Sequence, residues 1–376
     1  MKKKLLALLL CVAMMAMTLV GCGGSGDEGK SKSEGGDGDA EALNVAVFYY
    51  TYSDAYIASV RNALDAEFNA AGIKFQNYDC ENNQTKQNEQ IDTAIQMGAN
   101  LLVVNVVTSS TPDVSKDILS KAETAGIPVI FFNRSVEGEK EGEILGSYEK
   151  CAFVGTDAPE AGHLQGKMIG DYVLANYDAV DLNGDGQISY AMFMGEKGNA
   201  EAIYRTQYGV EDADAVLTEA GKPALVYFDK ANADKYQVDT TGAWSTAAAL
   251  DYMNTNLSQY NEQNGNMIEI VICNNDGMAE GVVSALNDKG YNLGDGGKTI
   301  PVFGVDATDS AKELIAQGKM TGTIKQDAEG MAAQICELAE NVADGNDLLA
   351  KVSTGTASES LANKIYIAYA TYTGEE

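Results

Sequence analysis

The chain reads as an α/β protein made of two similar lobes, each a doubly wound, parallel sheet. Three observations point there. From Asn44 onward, short apolar runs of strand length alternate with longer segments of helical period, the order that yields parallel sheets with right-handed crossovers. The pattern restarts near Ala152. Two echoes then tie the halves together: Ile127-Pro128-Val129 opens a strand ending at Asn133 as Ile300-Pro301-Val302 opens one ending at Asp306, and Leu102-Val103-Val104 runs into Asn105 as Val271-Ile272-Cys273 runs into Asn274-Asn275. A length of 376 residues is enough for two cores.

Val45–Tyr49 is β-branched and aromatic, and Ser53 or Asp54 can cap a helix reaching about Ala71. Lys74–Tyr78 and Gln84–Met97 form the next strand and helix. Leu101–Val106 is continuously apolar, as a strand covered on both faces must be. Thr111–Ala125 has Thr111 as cap and Pro112 in its first turn, and Pro128–Phe132 is the strand that follows. The second run places strands at Ala152–Gly155, Ile188–Met194, Ala224–Phe228, Ile268–Cys273 and Val302–Val305. Helices over Ala161–Asn176, Glu201–Asp212, Thr246–Tyr260 and Ala279–Lys289 separate them. Ligands of open α/β sheets bind outside the carboxyl ends of the strands. Asn105, Asn275, Asp306 and the segment Tyr52–Tyr56 should therefore converge on one cleft.

The ends and the charge set the compartment. Lys2–Lys4 precede the apolar run Leu5–Val20, the build of an export signal. Leu19-Val20-Gly21-Cys22 resembles a bacterial lipobox, which makes residues 1–22 a lipoprotein signal and Cys22 the lipidated residue. Residues 23–42 are Gly-, Ser- and charge-rich and cannot bury apolar surface, so they read as a flexible linker. The expected location is extracytoplasmic, anchored to the membrane only through that lipid. A net charge of −29 excludes nucleic acid as partner. Cys80, Cys151, Cys273 and Cys336 lack any C-x-x-C pairing, which removes zinc and thioredoxin-like readings. Buried free thiols are expected, with disulfides open to an exported chain.

Asp181-Leu-Asn-Gly-Asp-Gly-Gln-Ile-Ser189 places oxygen-bearing side chains at every second position: Asp181, Asn183, Asp185, Gln187 and Ser189. Gly186 sits sixth and Ile188 eighth, the pattern of a calcium loop. Its twelfth position should be Glu and is Met192. Either the loop is a solvated turn, or a carboxylate from elsewhere completes it.

Catalytic motifs are few. His163 is the single histidine, and no G-x-S-x-G, P-loop or H-E-x-x-H pattern occurs. A glycosidase needs only two carboxylates, which Asp54, Glu201 and Asp306 can supply. Binding a polyhydroxylated ligand fits better. Carboxylates (Asp54, Asp306), amides (Asn105, Asn199, Asn275) and Arg205 serve hydroxyls, and Trp244, the only tryptophan, offers a ring to apolar C–H faces.

These segments together resemble the galactose/glucose-binding protein of bacterial sugar uptake, a periplasmic-type binding protein. The matching stretches are Tyr50–Tyr56, Lys86–Asp92, Val129–Asn133, Val154–Asp157, Asp181–Ile188, Thr240–Trp244, Val271–Met278 and Val302–Ala307. The resemblance implies a type I fold, two lobes joined by a three-segment hinge with crossings near Asn133, Gln326 and Ala368. The first lobe is then residues 43–133 plus 327–367, and the second residues 134–326 plus 368–376. It implies sugar contacts at Asp54, Tyr56, Asn105, Asn199, Glu201, Arg205, Trp244, Asn275, Asp306 and Gln326. It also supplies Glu269 as the distant calcium ligand. Tyr56 stands where the family has Phe, and Asn199, Glu201 and Gln326 replace His, Asp and Asn, so the sugar need not be galactose or glucose itself. Within the loop Ser189 replaces Gln. The implied role is a monomeric, non-enzymatic solute-binding protein delivering a monosaccharide to an ABC permease, or presenting its closed form to a chemoreceptor or sensor kinase.

Overall fold

The computed structural model describes residues 42–136 and 140–374. The export signal, Cys22 and the linker up to residue 41 lie outside the described residues. In the first lobe, strands β1 (Asn44–Tyr49), β2 (Lys74–Asp79), β3 (Leu101–Val104), β4 (Val129–Phe132) and β5 (Cys151–Gly155) alternate with helices α1 (Ala55–Ala71), α2 (Gln84–Gln96), α3 (Pro112–Ala125) and α4 (Glu141–Leu145). The second lobe begins with α5 (Ala158–Ala175) and α6 (Tyr177–Val180). It continues through β6 (Ser189–Met194), α7 (Ala200–Glu219), β7 (Val226–Tyr227), β8 (Gln237–Val238), α8 (Thr246–Gln259), β9 (Ile270–Cys273), α9 (Asp276–Asn287), β10 (Val302–Asp306), α10 (Asp309–Ala316) and β11 (Gly322–Gln326). The chain then returns to the first lobe with α11 (Ala328–Ala343), β12 (Thr356–Ala357) and β13 (Lys364–Tyr366), and ends in the second with β14 (Tyr369–Tyr372).

Both sheets have seven strands, ordered β12-β13-β5-β4-β3-β1-β2 and β14-β11-β10-β9-β6-β7, with β8 also against β6. Among the described residues the antiparallel pairings are β12 with β13 and β14 with β11. The α/β reading with two parallel-sheet lobes is thus the observed fold. Leu101–Val104 and Val129–Phe132 are buried at every residue, because helices cover both sheet faces. Each such side chain contributes about 1.5–3 kcal/mol by leaving water.

One boundary is corrected. Cys151–Gly155 belongs to the first sheet, paired in parallel with β4 from Val129↔Cys151 to Phe132↔Val154 and on its other edge with β13. The first crossing therefore lies after Gly155 and not near Asn133. Among the described residues, the link between β4 and β5 holds the five-residue α4, too short to show a helical period, so the sequence carries no sign that the first sheet continues. The later crossings fall between Gln326 and Ala328 and between Tyr366 and Tyr369.

Close helix packing holds the second lobe's ligand-facing helix. Gly162, Gly166 and Gly170 recur every fourth residue on α5, and a Cβ at the first two would overlap the Tyr204 and Tyr208 carbonyls of α7. The α7 backbone lies directly against α5, which fixes the first turns of α7. The four body cysteines are buried and free. Among the described residues no helix is long and apolar enough to cross a membrane.

Candidate functional site

Between the lobes, at the carboxyl ends of the strands, lies a crevice with about 370 Å³ of atom-free space, part of it open to solvent. Tyr50, Asp54, Tyr56, Ile57, Asn133 and Arg134 line it from the first lobe. Asn199, Glu201, Arg205, Trp244, Asn275, Asp306 and Gln326 line it from the second. Nine of the ten residues expected to touch a sugar are thus together. Asn105 is the exception. It is fully buried, its amide oxygen accepts from the Tyr50 N–H (3.1 Å), and its amide nitrogen donates to Phe132 O (3.1 Å) and Asn133 Oδ1 (3.2 Å). It holds strand ends in place instead of facing the crevice.

Strand-to-helix turns present most of the first lobe's groups. Asp54 caps α1, its Oδ1 accepting from the Ile57 N–H (2.8 Å) and its Oδ2 from the Tyr50 hydroxyl (2.7 Å). Tyr56 is almost wholly buried. Arg134 stacks over the Tyr50 ring at 4.3 Å and donates to the carbonyls of Val106 and Val107. Of the liners outside the expected set, Tyr50 and Asn133 stand at the ends of the stretches Tyr50–Tyr56 and Val129–Asn133, and Ile57 and Arg134 lie one residue beyond them; none carries a pattern of its own.

The second lobe supplies the stronger polar groups. Asn199 and Asn275 cap α7 and α9, accepting from the Ala202 and Met278 N–H groups (3.2 and 2.9 Å). Arg205 donates to Asn274 O (2.9 Å), Gln326 Oε1 (3.0 Å) and the Tyr369 hydroxyl (3.0 Å). Trp244 lies with its ring 5.7 Å from that guanidinium and packs so close to Gly195 that a Cβ there would overlap the indole. Three buried polar atoms lining the crevice have no partner: Glu201 Oε2, Arg205 Nε and Gln326 Nε2. An unpaired buried polar atom costs about 1–3 kcal/mol, so this set calls for a ligand that donates and accepts.

Burial pushes the Asp306 carboxyl well above the usual carboxylate range; Arg205 pulls it back while Asp276 and Asp54 push it further. Burial likewise raises Glu201, opposed by Arg205. Behind them, burial lifts Asp276 to about 7 against donation from the Thr323 hydroxyl (2.7 Å) and the Thr308 N–H (2.9 Å). Backbone strain gathers here too. Asn133, Trp244, Asp306 and Ala307 all have positive φ (60°, 55°, 126° and 55°), conformations that persist at sites the surrounding structure over-determines.

The lobes are in contact across the crevice. Asn199 Nδ2 donates to Ser109 Oγ (3.3 Å), Asn82 Nδ2 to Thr241 O (3.0 Å), and Arg134 pairs with Glu196.

The loop Asp181–Ser189 does meet Glu269. This buried carboxylate accepts from the N–H groups of Leu182 (2.9 Å), Asn183 (3.3 Å) and Ser189 (2.7 Å), and from the Ser189 hydroxyl (3.1 Å). Asp181 accepts from Gly184 and Gly186, Asn183 from Asp185, and Asp185 from Gln187. The donor set is all oxygen, which fits a hard cation. In this arrangement the oxygens turn onto loop N–H groups, and among the described residues no three acidic, thiol or imidazole side chains converge to hold a metal.

Two lobes of one topology, gripping a polar crevice floored by an indole, define a solute-binding protein by build. Residues 45–347 match the model of the periplasmic binding protein domain, and the chain belongs to that family. It is 34% identical to the D-galactose/methyl-galactoside binding periplasmic protein MglB of Haemophilus influenzae, covering 80% of this chain and 82% of that one. It is 27% identical to a putative rhizopine-binding protein of Rhizobium meliloti, covering 85% and 86%. Among solved structures, an ABC transporter solute binding protein of Bacillus halodurans with bound myo-inositol superposes with TM-score 0.65 at 24% identity, over 90% of this chain and 96% of that one.

Proposed function

We propose that the protein closes its lobes around a monosaccharide of galactose or glucose type and delivers it to an ABC permease. The observation that carries this is the trio of partnerless buried atoms, Glu201 Oε2, Arg205 Nε and Gln326 Nε2, in one crevice with the Trp244 ring. A sugar hydroxyl both donates and accepts, so a ring of hydroxyls satisfies a carboxylate, a guanidinium and an amide at once. Its C–H faces suit the indole. The galactoside named for the Haemophilus relative supports the same class. Asn199, Glu201 and Gln326, which together with Tyr56 depart from the family pattern, all line the crevice and tune which epimer fits, since unpaired polar groups discriminate strongly.

The work is binding and hinge closure, with no covalent chemistry. Contacts that span both lobes supply the differential affinity that closure requires. In this reading the protein is an extracytoplasmic monomer tethered through lipid on Cys22. Its Asp181–Ser189 loop and Glu269 hold one structural calcium ion. A thermal-shift screen of monosaccharides, with and without calcium, tests it. At least one hexose should bind with micromolar or better affinity, about −8 kcal/mol. If calorimetry finds no monosaccharide bound in that range, the proposal fails.

A further inference from the structure

The echo between the lobes runs out on an unlike pair. Leu102–Asn105 continues into Val106-Val107, whereas Val271–Asn274 continues into Asn275-Asp276. Asn275 lines the crevice and Asp276 does not. Asp276 is the first residue of α9 and has no exposed surface. The charged neighbours that bear on it are acids, Glu280 and Asp306. A buried carboxylate among acids is tolerated only where hydrogen bonds offset its desolvation.

Those bonds converge on one turn. Asp276 Oδ1 accepts from the Thr323 hydroxyl (2.7 Å), and Thr323 Oγ1 in turn accepts from the Ala307 N–H (3.3 Å). Asp276 Oδ2 accepts from the Thr308 N–H (2.9 Å). Thr323, likewise without exposed surface, stands on β11 beside Gly304 of β10. A Cβ on Gly304 would overlap Asp276 Oδ1, so the glycine lets the carboxylate cross β10 to reach its partner. The turn so gripped carries Asp306 and Ala307, two non-glycine residues at positive φ (126° and 55°). Such conformations are costly for an L residue, and the surroundings must impose them. The clamp takes the two N–H groups that follow Asp306 and leaves the Asp306 side chain to the crevice.

We propose that Asp276 and Thr323 are positioning residues for sugar binding, holding Asp306 at the angle where its carboxylate meets the ligand. Neither touches the sugar. Their contribution is preorganisation: a turn fixed in advance does not have to be ordered when the ligand arrives. This rests on the monosaccharide reading above.

Calorimetry and thermal melts on the intact protein test it, with D-galactose, D-glucose and the other D-aldohexoses as probes. Thr323→Val keeps the side-chain shape and removes the hydroxyl. It should weaken the best-bound hexose about tenfold or more, roughly 1.4 kcal/mol. Thr323→Ser returns the hydroxyl and should bring affinity back to within about threefold, roughly 0.7 kcal/mol, although it gives up a buried methyl that a merely structural role would miss. Asp276→Asn, which loses one of two accepting oxygens, should match Thr323→Val. The deciding readout is a cycle with Asp306. In an Asp306→Ala background, measured at millimolar sugar, Thr323→Val should change affinity less than about twofold, because the group it positions is gone. Wild-type affinity in Thr323→Val overturns the proposal and leaves the monosaccharide reading standing. So does a loss that Thr323→Ser shares, or one that persists in full without the Asp306 side chain. Should Thr323→Val or Asp276→Asn fail to fold, the melt shows it and the other carries the test. Failure of every hexose to bind the wild type removes both readings.

Discussion

At the tips of the two sheets one structural staple has been put to two uses. In the first lobe the Asn105 N–H donates to Phe48 O (2.9 Å) and its Oδ1 accepts from the Tyr50 N–H (3.1 Å). In the second the Asn274 N–H donates to Phe193 O (3.0 Å) and its Oδ1 accepts from the Gly195 N–H (3.2 Å). A side chain then caps the asparagine carbonyl in each: Gln87 at 2.9 Å in one, Arg205 at 2.9 Å in the other. Gln87 is neutral and fully buried; Arg205 is charged and has a buried N–H to spare. Where the first lobe has Tyr50 the second has Gly195, and the missing side chain admits the Trp244 ring. The residue after the staple is Val106 in one lobe and the crevice-lining Asn275 in the other. The duplicated parts build the frame, and the ligand chemistry lies where the copies diverge.

The sharpest break in that symmetry is Trp244. Trp244→Ala should weaken sugar binding by roughly 100-fold or more, as loss of a buried aromatic anchor does; unchanged affinity by calorimetry would remove it from the site. Asp306 comes next. Burial raises its pKa in the sugar-free protein, and hydroxyls donating to it favour the carboxylate, so binding releases a proton. Affinity should therefore rise with pH between the ordinary carboxylate range and the raised value, by at most about tenfold per unit. The sign for stability is opposite. A raised carboxyl stabilises at low pH and loses that contribution as pH climbs through its folded value, so the sugar-free protein should melt lower across this window. Asp306→Asn should reduce both slopes, with Glu201 and Asp276 keeping part of the stability slope because burial raises them too, and titrations in buffers of different ionisation enthalpy should show the proton.

Asn105→Ala tests the frame. It should cost about 1–3 kcal/mol of stability by orphaning the Tyr50 N–H, with affinity changed only a fewfold. A normal melt with lost binding would make Asn105 a ligand contact after all. The last test concerns the loop of the second lobe. Chelation of calcium should lower the melting temperature by about 5 °C, the size expected for removing an ion held at 100 times its Kd. Glu269→Gln should lose most of that response; an unaltered response would exclude Glu269 as a ligand.

The alternation of elements was legible, and strand-ending polar residues such as Asn275 and Asp306 could be expected at one edge of a parallel sheet; Tyr56, Glu201 and Gln326 joined the set through the resemblance, and the crevice brings them together. Glu269 could be named from resemblance alone; no local pattern ties it to a loop about 80 residues earlier. Cys151–Gly155 was assigned to the wrong lobe since a buried strand looks alike in either sheet, and only its pairing with β4 and β13 tells them apart. Asn105 stands apart from the other nine for a related reason. A polar residue ending an apolar strand can serve the ligand or the backbone, and Asn274 and Asn275 show both choices side by side. Arg134 escaped notice because its role depends on Glu196, which becomes its neighbour only once the lobes meet.

The late return of the chain has a bearing on how the molecule is made. The first sheet receives β13 at Lys364–Tyr366 and the second receives β14 at Tyr369–Tyr372, so both jaws are closed by strands lying only a few residues apart and far along the chain from β5 and β11, beside which they lie. Deleting residues 364–372 would therefore open both halves together.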